Sequence, residues 1–419
     1  MKDVIKVKFL KDVYPLKENV EVIGAVKFKS GYMEKAQSRI VEDRKNDDSL
    51  KPHIIFLVDI SYSMQGKRIT DLKKSLKQLV DNGFLDGAYL SLVTFGEKSE
   101  VRLEYVNVEK SKKKINNVIS ALDAKEPQTY ASRGFKKIDE LLTLKRNGVN
   151  RIIYFTDGED FDEDKAKKFA KKLVVSNQFT ISAVGVGVQY NEFFLEEMAT
   201  LGKGGFYHLN EIEKFFDDMV FDLKVINSEV LTNAQIVDLF YPSSVEPVEI
   251  FKIGNGVTEL EIENNKILCG NLSSDDKIFF KFRIKNINTP GMYNILNATM
   301  TYQEGSEAKK EEFSFKVKLS NDDEALTAAT ADREVMDLNK QVVAFKKIKE
   351  AQSYFRDGKE KEARAAITEV EPIIKSLNPD DEISTILDDV KSGKAISAEV
   401  TRTLFSYTRT KTMTKTDTY

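Results

Sequence analysis

The spacing of hydrophobic and polar positions changes several times along the chain. Segments 4–9 (VIKVKF) and 21–28 (EVIGAVKF) alternate apolar and polar residues, which is typical of strands in a half-buried sheet. From residue 54 to about 222, short apolar runs alternate with segments whose apolar residues recur every three or four positions. This alternation predicts an α/β fold with a doubly wound, mostly parallel sheet that is covered by helices on both faces.

Beyond residue 224 the helical spacing disappears. Short strand-like segments recur about every ten residues up to 319, separated by turn signals such as GNG, ENN and TPG, and they predict an antiparallel β-sandwich. Residues 323 to about 394 return to helical spacing, with a turn at RDGK, and predict a helical hairpin. The polar stretch 30–52 is expected to be a solvated linker.

These changes of pattern predict a division of the chain into five parts. The predicted parts are N-terminal strands (1–30) that pair with the sandwich, an α/β domain (50–223), the β-sandwich (224–320), the helical hairpin (321–395) and a low-complexity, threonine-rich tail (396–419). The tail carries threonine at every even position from 408 to 418, and we expect it to be mobile, with contacts to other copies or modification as alternatives.

The composition and net charge argue against several classes of function. The net charge of −3 over 419 residues argues against a nucleic-acid-binding surface. The sequence contains no run of 18 apolar residues, so we expect no membrane span. The one cysteine, Cys269, cannot form an internal disulfide, so a reducing, cytoplasmic compartment is the simplest expectation. Two histidines leave little for imidazole catalysis or zinc binding, so no catalytic residues are expected. The oligomeric state stays open.

Candidate chemistry lies where the predicted strand 54–59 ends. The stretch HIIFLVDISYSMQGKRI runs from apolar residues into Asp59 and then places Ser61 and Ser63 at alternate positions. Ligands of doubly wound sheets bind beyond the carboxyl ends of strands. One carboxylate and two hydroxyls are hard oxygen ligands, and they favour Mg²⁺ or Mn²⁺.

Two further segments add oxygen ligands at the same edge of the sheet. Asp157 follows the predicted strand 151–157 (RIIYFTD), and Thr129 lies in the loop EPQTYASRGF. We therefore expect one divalent cation bound by Asp59, Ser61, Ser63, Thr129 and Asp157. Mg²⁺ is the preferred metal, with Mn²⁺ or Ca²⁺ as alternatives. With few charged ligands, such a cation would attract a carboxylate from another protein.

The three segments resemble the metal-binding motif of von Willebrand factor type A (VWA) domains. FLVDISYSM matches the D-x-S-x-S motif, TYASRGF resembles the T-x-x-x-x-G segment, and YFTDGED resembles the segment with the second aspartate. The resemblance implies that the two serines and Thr129 bind the metal directly, and that the two aspartates bind mostly through water. Pro127-Gln128 stands where the family often has Gly-Gly.

The order of the predicted parts also resembles a known architecture. In VWA proteins of the inter-α-trypsin-inhibitor and plant RING-finger type, the VWA domain is inserted into a sandwich-like module. This is a likeness of architecture and not of motif. The chain lacks the RING cysteines, so the resemblance implies no ligase activity.

Three functions follow as hypotheses. We expect a non-enzymatic protein-interaction module in which the metal binds an acidic side chain of a partner protein. The alternative is an accessory subunit of an AAA+ ATPase that remodels complexes or inserts metals. An enzyme is disfavoured because a haloacid-dehalogenase phosphatase needs a second aspartate where Ser61 stands, and a serine hydrolase needs a base beside its serine.

Overall fold

The computed structural model shows how the predicted parts fit together. It describes residues 4–141, 148–157, 160–177, 179–187, 190–209, 212–254, 256–377, 379, 381–394 and 396–410.

The chain begins with three strands and a helix. They are β1 (Ile5–Phe9), β2 (Val13–Pro15), β3 (Asn19–Phe28) and α1 (Ser30–Asn46). The helix α1 lies within the segment predicted as a solvated linker, so that prediction was wrong. Its apolar residues Met33, Ala36 and Ile40 are spaced by three and four, and all three are buried.

The α/β part follows directly. Its strands are β4 (His53–Asp59), β5 (Tyr89–Phe95), β6 (Ser99–Asn107), β7 (Asn150–Thr156), β8 (Phe179–Val186) and β9 (Lys203–Leu209). Its helices are α2 (Lys67–Asp81), α3 (Val108–Ser120), α4 (Ala131–Leu141), α5 (Glu163–Asn177), α6 (Glu192–Gly202) and α7 (Ile212–Ser228). The strand order is β6-β5-β4-β7-β8-β9, and all neighbours are parallel except β5 and β6.

The central strand β4 shows why this sheet is buried on both sides. All seven of its residues are buried. Phe56 and Val58 belong to one hydrophobic core, and Ile55 and Leu57 belong to the core on the opposite face. Alternate residues of a strand point to opposite faces, so a continuous apolar run supplies both cores. The predicted doubly wound fold class is confirmed.

Two mostly antiparallel sheets follow, and we call residues 231–320 with β1, β2 and β3 the two-sheet region. The new strands are β10 (Leu231–Phe240), β11 (Val245–Ile253), β12 (Val257–Glu259), β13 (Ile262–Glu263), β14 (Lys266–Leu272), β15 (Lys277–Lys285), β16 (Gly291–Glu304) and β17 (Glu307–Ser320). One sheet has the order β1-β3-β15-β11-β12, and the other has β13-β14-β10-β16-β17-β2. Side chains of both sheets, such as Phe280 and Phe315, share one core.

The N-terminal strands take part in both sheets. β3 pairs with β15 from Ile278↔Val26 to Lys285↔Asn19, and β2 runs parallel to β17. Segments on either side of the α/β part in sequence therefore meet in one pair of sheets.

The C-terminal part is helical. Its helices are α8 (Asp323–Ala328), α9 (Arg333–Arg356), α10 (Glu360–Ser376), α11 (Asp381–Lys391) and α12 (Ala398–Thr410). Helices α9 and α10 form the predicted hairpin, and Gly358 adopts a positive φ of 72° in the turn between them. Over the described parts of these and the other helices, none is long and apolar enough to cross a membrane.

Helix α12 replaces the first half of the predicted mobile tail, so that prediction was wrong for residues 398–410. Leu404, Phe405 and Tyr407 are buried in the core that also contains residues of α9 and α10. The Phe405 ring lies 5.7 Å from the Phe345 ring of α9. The alternating threonines from 411 onward lie outside the described residues.

Candidate functional site

Asp59 ends β4 at the carboxyl edge of the parallel sheet, and its side chain is fully buried. Its Oδ1 accepts a hydrogen bond from the Ser61 backbone N–H at 2.8 Å, and its Oδ2 accepts one from the Thr156 hydroxyl at 2.6 Å. Thr156 is the last residue of the adjacent strand β7. Burial raises the pKa of Asp59 to about 6, although these hydrogen bonds favour the ionised form.

The two serines connect Asp59 to the second aspartate. The hydroxyls of Ser61 and Ser63 lie 2.9 Å apart, and the Ser63 hydroxyl donates to Asp157 Oδ1 at 2.8 Å. Ser61 and Asp157 are buried, whereas Ser63 is exposed. Four of the five predicted site residues therefore form one continuous hydrogen-bonded chain that opens to solvent at Ser63.

Thr129 lies in the loop before α4, beside this chain. The loop is held to the serine loop because Glu126 N–H donates to Ile60 C=O at 3.0 Å and Tyr62 N–H donates to Glu126 C=O at 2.8 Å. On its other side, the Thr129 carbonyl accepts the Phe161 N–H at 3.1 Å. These backbone bonds join the loops that carry Ser61, Thr129 and Asp157, and Thr129 is buried between them.

Two glycines explain why the sequence can form this arrangement. Gly134 lies in α4 where the helix crosses the sheet, and a Cβ there would come within 2.6 Å of Leu57 Cδ1. Its absence lets the start of α4, and with it Thr129, approach the strand ends. Gly66 adopts φ +76° between the serine loop and α2, a conformation that L side chains rarely adopt.

Several residues at the site were missed by the sequence analysis. Arg68, in the first turn of α2, donates to Asp157 Oδ2 at 2.5 Å and to the Ser63 carbonyl at 2.7 Å. Asp160 and Asp162 accept hydrogen bonds from the N–H groups of Ala131 and Ser132 at the start of α4. Acidic side chains stabilise the positive end of a helix, and the acidic run after Asp157 could have indicated this role.

The electrostatics of the site depend on two buried aspartates. Burial raises the pKa of Asp157, and the Ser63 hydroxyl and the Arg68 guanidinium only partly counter this. A buried carboxylate is costly without a compensating charge; Arg68 supplies such a charge to Asp157, and hydrogen bonds from Ser61 and Thr156 hold Asp59. The donors are carboxylate and hydroxyl oxygens, which suit a hard divalent cation. Within the described ranges there is no cluster of three or more His, Cys, Asp or Glu side chains that could hold a metal ion.

The class of domain follows from this fold and site. Residues 53–220 match the family model of the von Willebrand factor type A domain, which agrees with the six-stranded sheet and its helices. This part of the chain is a VWA domain, a domain that is commonly a metal-dependent protein-interaction module. The match covers less than half of the chain, so it describes the domain and not the remaining parts.

The chain is also similar in sequence to a bacterial protein. It is 27% identical over 262 residues to the uncharacterized protein YfbK of Escherichia coli K12, and this alignment covers 58% of the chain but only 44% of YfbK. The chain thus spans less than half the length of that relative.

Two solved structures share the fold over almost the whole chain. A von Willebrand factor type A protein from Catenulispora acidiphila aligns with a TM-score of 0.76 at 12% identity, over 98% of this chain and 97% of that one. The ArnB paralog VWA2 from Sulfolobus acidocaldarius aligns with a TM-score of 0.60 at 16% identity, over 96% of each chain. At such low identity the similarity shows the fold alone, and it extends beyond the VWA domain to the two-sheet region and the C-terminal helices.

Proposed function

We propose that the VWA domain binds one Mg²⁺ ion and uses it to bind an acidic side chain of a partner protein. The main support is the hydrogen-bonded chain from Asp59 through Ser61 and Ser63 to Asp157, with Thr129 beside it. A divalent cation would supply an electrophilic centre for the partner's carboxylate. The proposed role is binding without catalysis.

The protein side chains have separate roles in this proposal. Asp59 is held by the N–H of Ser61 and the hydroxyl of Thr156, so its charge is fixed beneath the site. The hydroxyls of Ser61, Ser63 and Thr129 are the proposed direct ligands. Because hydroxyls are neutral, they leave more positive charge on a bound cation than carboxylates would. This residual charge favours an added carboxylate from outside.

Access is possible from the side of Ser63. Ser63 is exposed, whereas Asp59, Ser61, Thr129 and Asp157 are all buried. A partner approaching the carboxyl edge of the sheet would therefore meet the site at Ser63. The arrangement favours capture of one side chain from solution over enclosure of a small molecule.

Metal binding is tested by calorimetric titration of Mg²⁺ into the full chain. Asp59→Ala should abolish the binding heat. Asp81→Ala is a matched control, because this exposed carboxylate ends α2 at the opposite end of the helix from the site. Circular dichroism spectra of both variants should match the wild type. Equal Mg²⁺ affinity in wild type and Asp59→Ala would refute the assigned site.

Partner binding is tested by affinity capture on the immobilised chain in Mg²⁺ and in EDTA, with mass spectrometry of the retained proteins. A partner of the proposed kind is retained in Mg²⁺, released by EDTA and lost with Asp59→Ala. Substituting the partner's acidic contact residue by its amide should also release it. A partner that is retained equally in EDTA and by Asp59→Ala would contradict metal-mediated capture.

A further inference from the structure

Exposed aromatic residues lie on the loops of the candidate metal site. Phe161 is 68% exposed and Tyr62 is 54% exposed, values that are high for large apolar side chains. Tyr62 stands between Ser61 and Ser63, and Phe161 follows Asp157 in the third loop of the site. Both thus lie on loops that carry proposed metal ligands.

Backbone hydrogen bonds connect the residues that carry these rings to the loops of the site. The Phe161 N–H donates to the Thr129 carbonyl at 3.1 Å, and the Tyr62 N–H donates to the Glu126 carbonyl at 2.8 Å. The Tyr130 ring, next to Thr129, lies 5.8 Å from the Phe161 ring, and the Arg133 guanidinium lies 4.1 Å above Tyr130. We call Tyr62, Tyr130 and Phe161 the aromatic rim.

Single exposed apolar residues are ordinary on protein surfaces and need no explanation. Among the described residues, the other exposed large hydrophobic side chains are Val41, Val175, Phe240, Ile262 and Met292. These residues lie on separate elements, at α1, α5, β10, β13 and β16. The aromatic rim differs because its members lie on three neighbouring loops that are hydrogen-bonded to one another around one group of ligands.

We propose that the aromatic rim binds a large apolar side chain of the partner next to the carboxylate that binds the metal. The partner would present Asp or Glu with Phe, Tyr, Trp, Leu or Ile within about two residues, since the rim lies on the same loops as the ligands. This inference rests on the proposed metal-dependent function and specifies its partner.

Physical reasons favour such an occupant over a purely acidic one. A carboxylate contact at a hydrated cation gives orientation but buries little apolar area. Exposed aromatic rings gain free energy when they are covered, and Tyr and Phe contribute strongly at interface centres. The Arg133 guanidinium, stacked on Tyr130, adds positive charge beside the rings and complements an acidic epitope.

The inference is tested by selecting a displayed library of random peptides on the immobilised full chain in Mg²⁺ and eluting with EDTA. The expected peptides combine an acidic residue with a large apolar residue within two positions. For a selected peptide, Phe161→Ser should weaken binding at least about tenfold, because one well-covered ring is removed from the contact. Phe240→Ser is the matched control, since Phe240 is a similarly exposed phenylalanine on β10, and it should leave the affinity unchanged.

The outcomes separate the two proposals. Acidic peptides without apolar enrichment, or unchanged affinity with Phe161→Ser while Mg²⁺ binding persists, would overturn the aromatic rim and retain the metal site. A library that yields no EDTA-sensitive binder would count against the proposed function and the rim together. Mg²⁺-dependent dimers of the chain that are lost with Phe161→Ser would assign the rim to a second copy and refute a peptide-like partner.

Discussion

A buried ion pair joins the VWA domain to the two-sheet region, and its removal gives a sharp prediction about stability. Arg151 on β7 and Glu229, just after α7, are both almost fully buried, with Nη2 2.8 Å from Oε1. The other carboxylate oxygen, Oε2, accepts a hydrogen bond at 3.0 Å from Asn271 on β14. Glu229 therefore contacts elements of both parts.

The perturbation is Glu229→Gln, which keeps the shape of the side chain and removes its charge. The Arg151 guanidinium would then be buried without its counter-ion, and arginine cannot lose its proton in a protein. Removing one member of a buried pair costs about 3–5 kcal/mol, a large share of a typical stability of about 5–15 kcal/mol. We expect a loss of that size in the free energy of unfolding.

The reciprocal variant Arg151→Met should be less costly in acid. Burial already raises the pKa of Glu229, and the positive charges of Arg151 and Lys252 only partly counter it. Without Arg151 this pKa rises further, so Glu229 would be protonated and neutral in the folded protein at low pH. A group with a raised folded-state pKa loses its stabilising contribution as pH rises through that pKa. The loss in Arg151→Met should therefore be smaller near about pH 5 than near about pH 8.

The measurement is urea unfolding followed by far-ultraviolet circular dichroism, since the chain contains no tryptophan for fluorescence. The double variant Arg151→Met, Glu229→Gln should lose less stability than the sum of the single variants, because no unpaired charge remains. A Glu229→Gln protein within about 0.5 kcal/mol of the wild type would refute the assigned role of the pair.

Three further predictions concern the site and the C-terminus. Mg²⁺ affinity in calorimetry should fall as pH drops through about 6, because burial places the pKa of Asp59 there and the protonated form cannot attract a cation; equal affinity well above and below that pH would contradict this. Arg68→Met should tighten Mg²⁺ binding roughly threefold to tenfold, because it removes a positive charge that pairs with Asp157; weaker binding would show that the arginine orients this carboxylate instead. Phe405→Ala should lower stability by about 3–5 kcal/mol in urea unfolding because its ring is buried in the core, whereas Phe240→Ala on the surface should change it little; similar values for the two would be inconsistent with the docked α12 helix.

Much of the VWA domain could be predicted from the sequence because its signals are local. Apolar runs bounded by helical periodicity predict buried parallel strands, and Asp59, Ser61 and Ser63 lie within five consecutive positions at the end of one of them. The carboxyl ends of parallel strands meet at one edge of a sheet, so Asp157 was expected there too. The structure brings these side chains into one hydrogen-bonded chain, while their role as metal ligands stays a prediction.

Two helices, α1 and α12, were missed by the sequence analysis. In both segments the local signal for a helix is weak, and tertiary packing determines that the helix forms. Helix α1 is polar overall and buries only three apolar residues, which lie against the two-sheet region. Helix α12 is rich in threonine, whose β-branched side chain disfavours helices. It forms in a place where Leu404 and Phe405 can be buried in the core beside α9, and burial of such side chains outweighs the weak helix propensity.

The sequence by itself determined the order of strands and helices within the VWA domain and the chemistry available at its strand ends, because periodicity and residue type act over a few positions. Only the tertiary structure decided which distant groups meet. The pairing of Arg68 with Asp157, the bond from Thr156 to Asp59 and the contact of Arg151 with Glu229 join residues that are far apart in the chain. Such contacts depend on the packing of whole elements, and a local pattern carries no information about which partner the fold will bring within hydrogen-bonding distance.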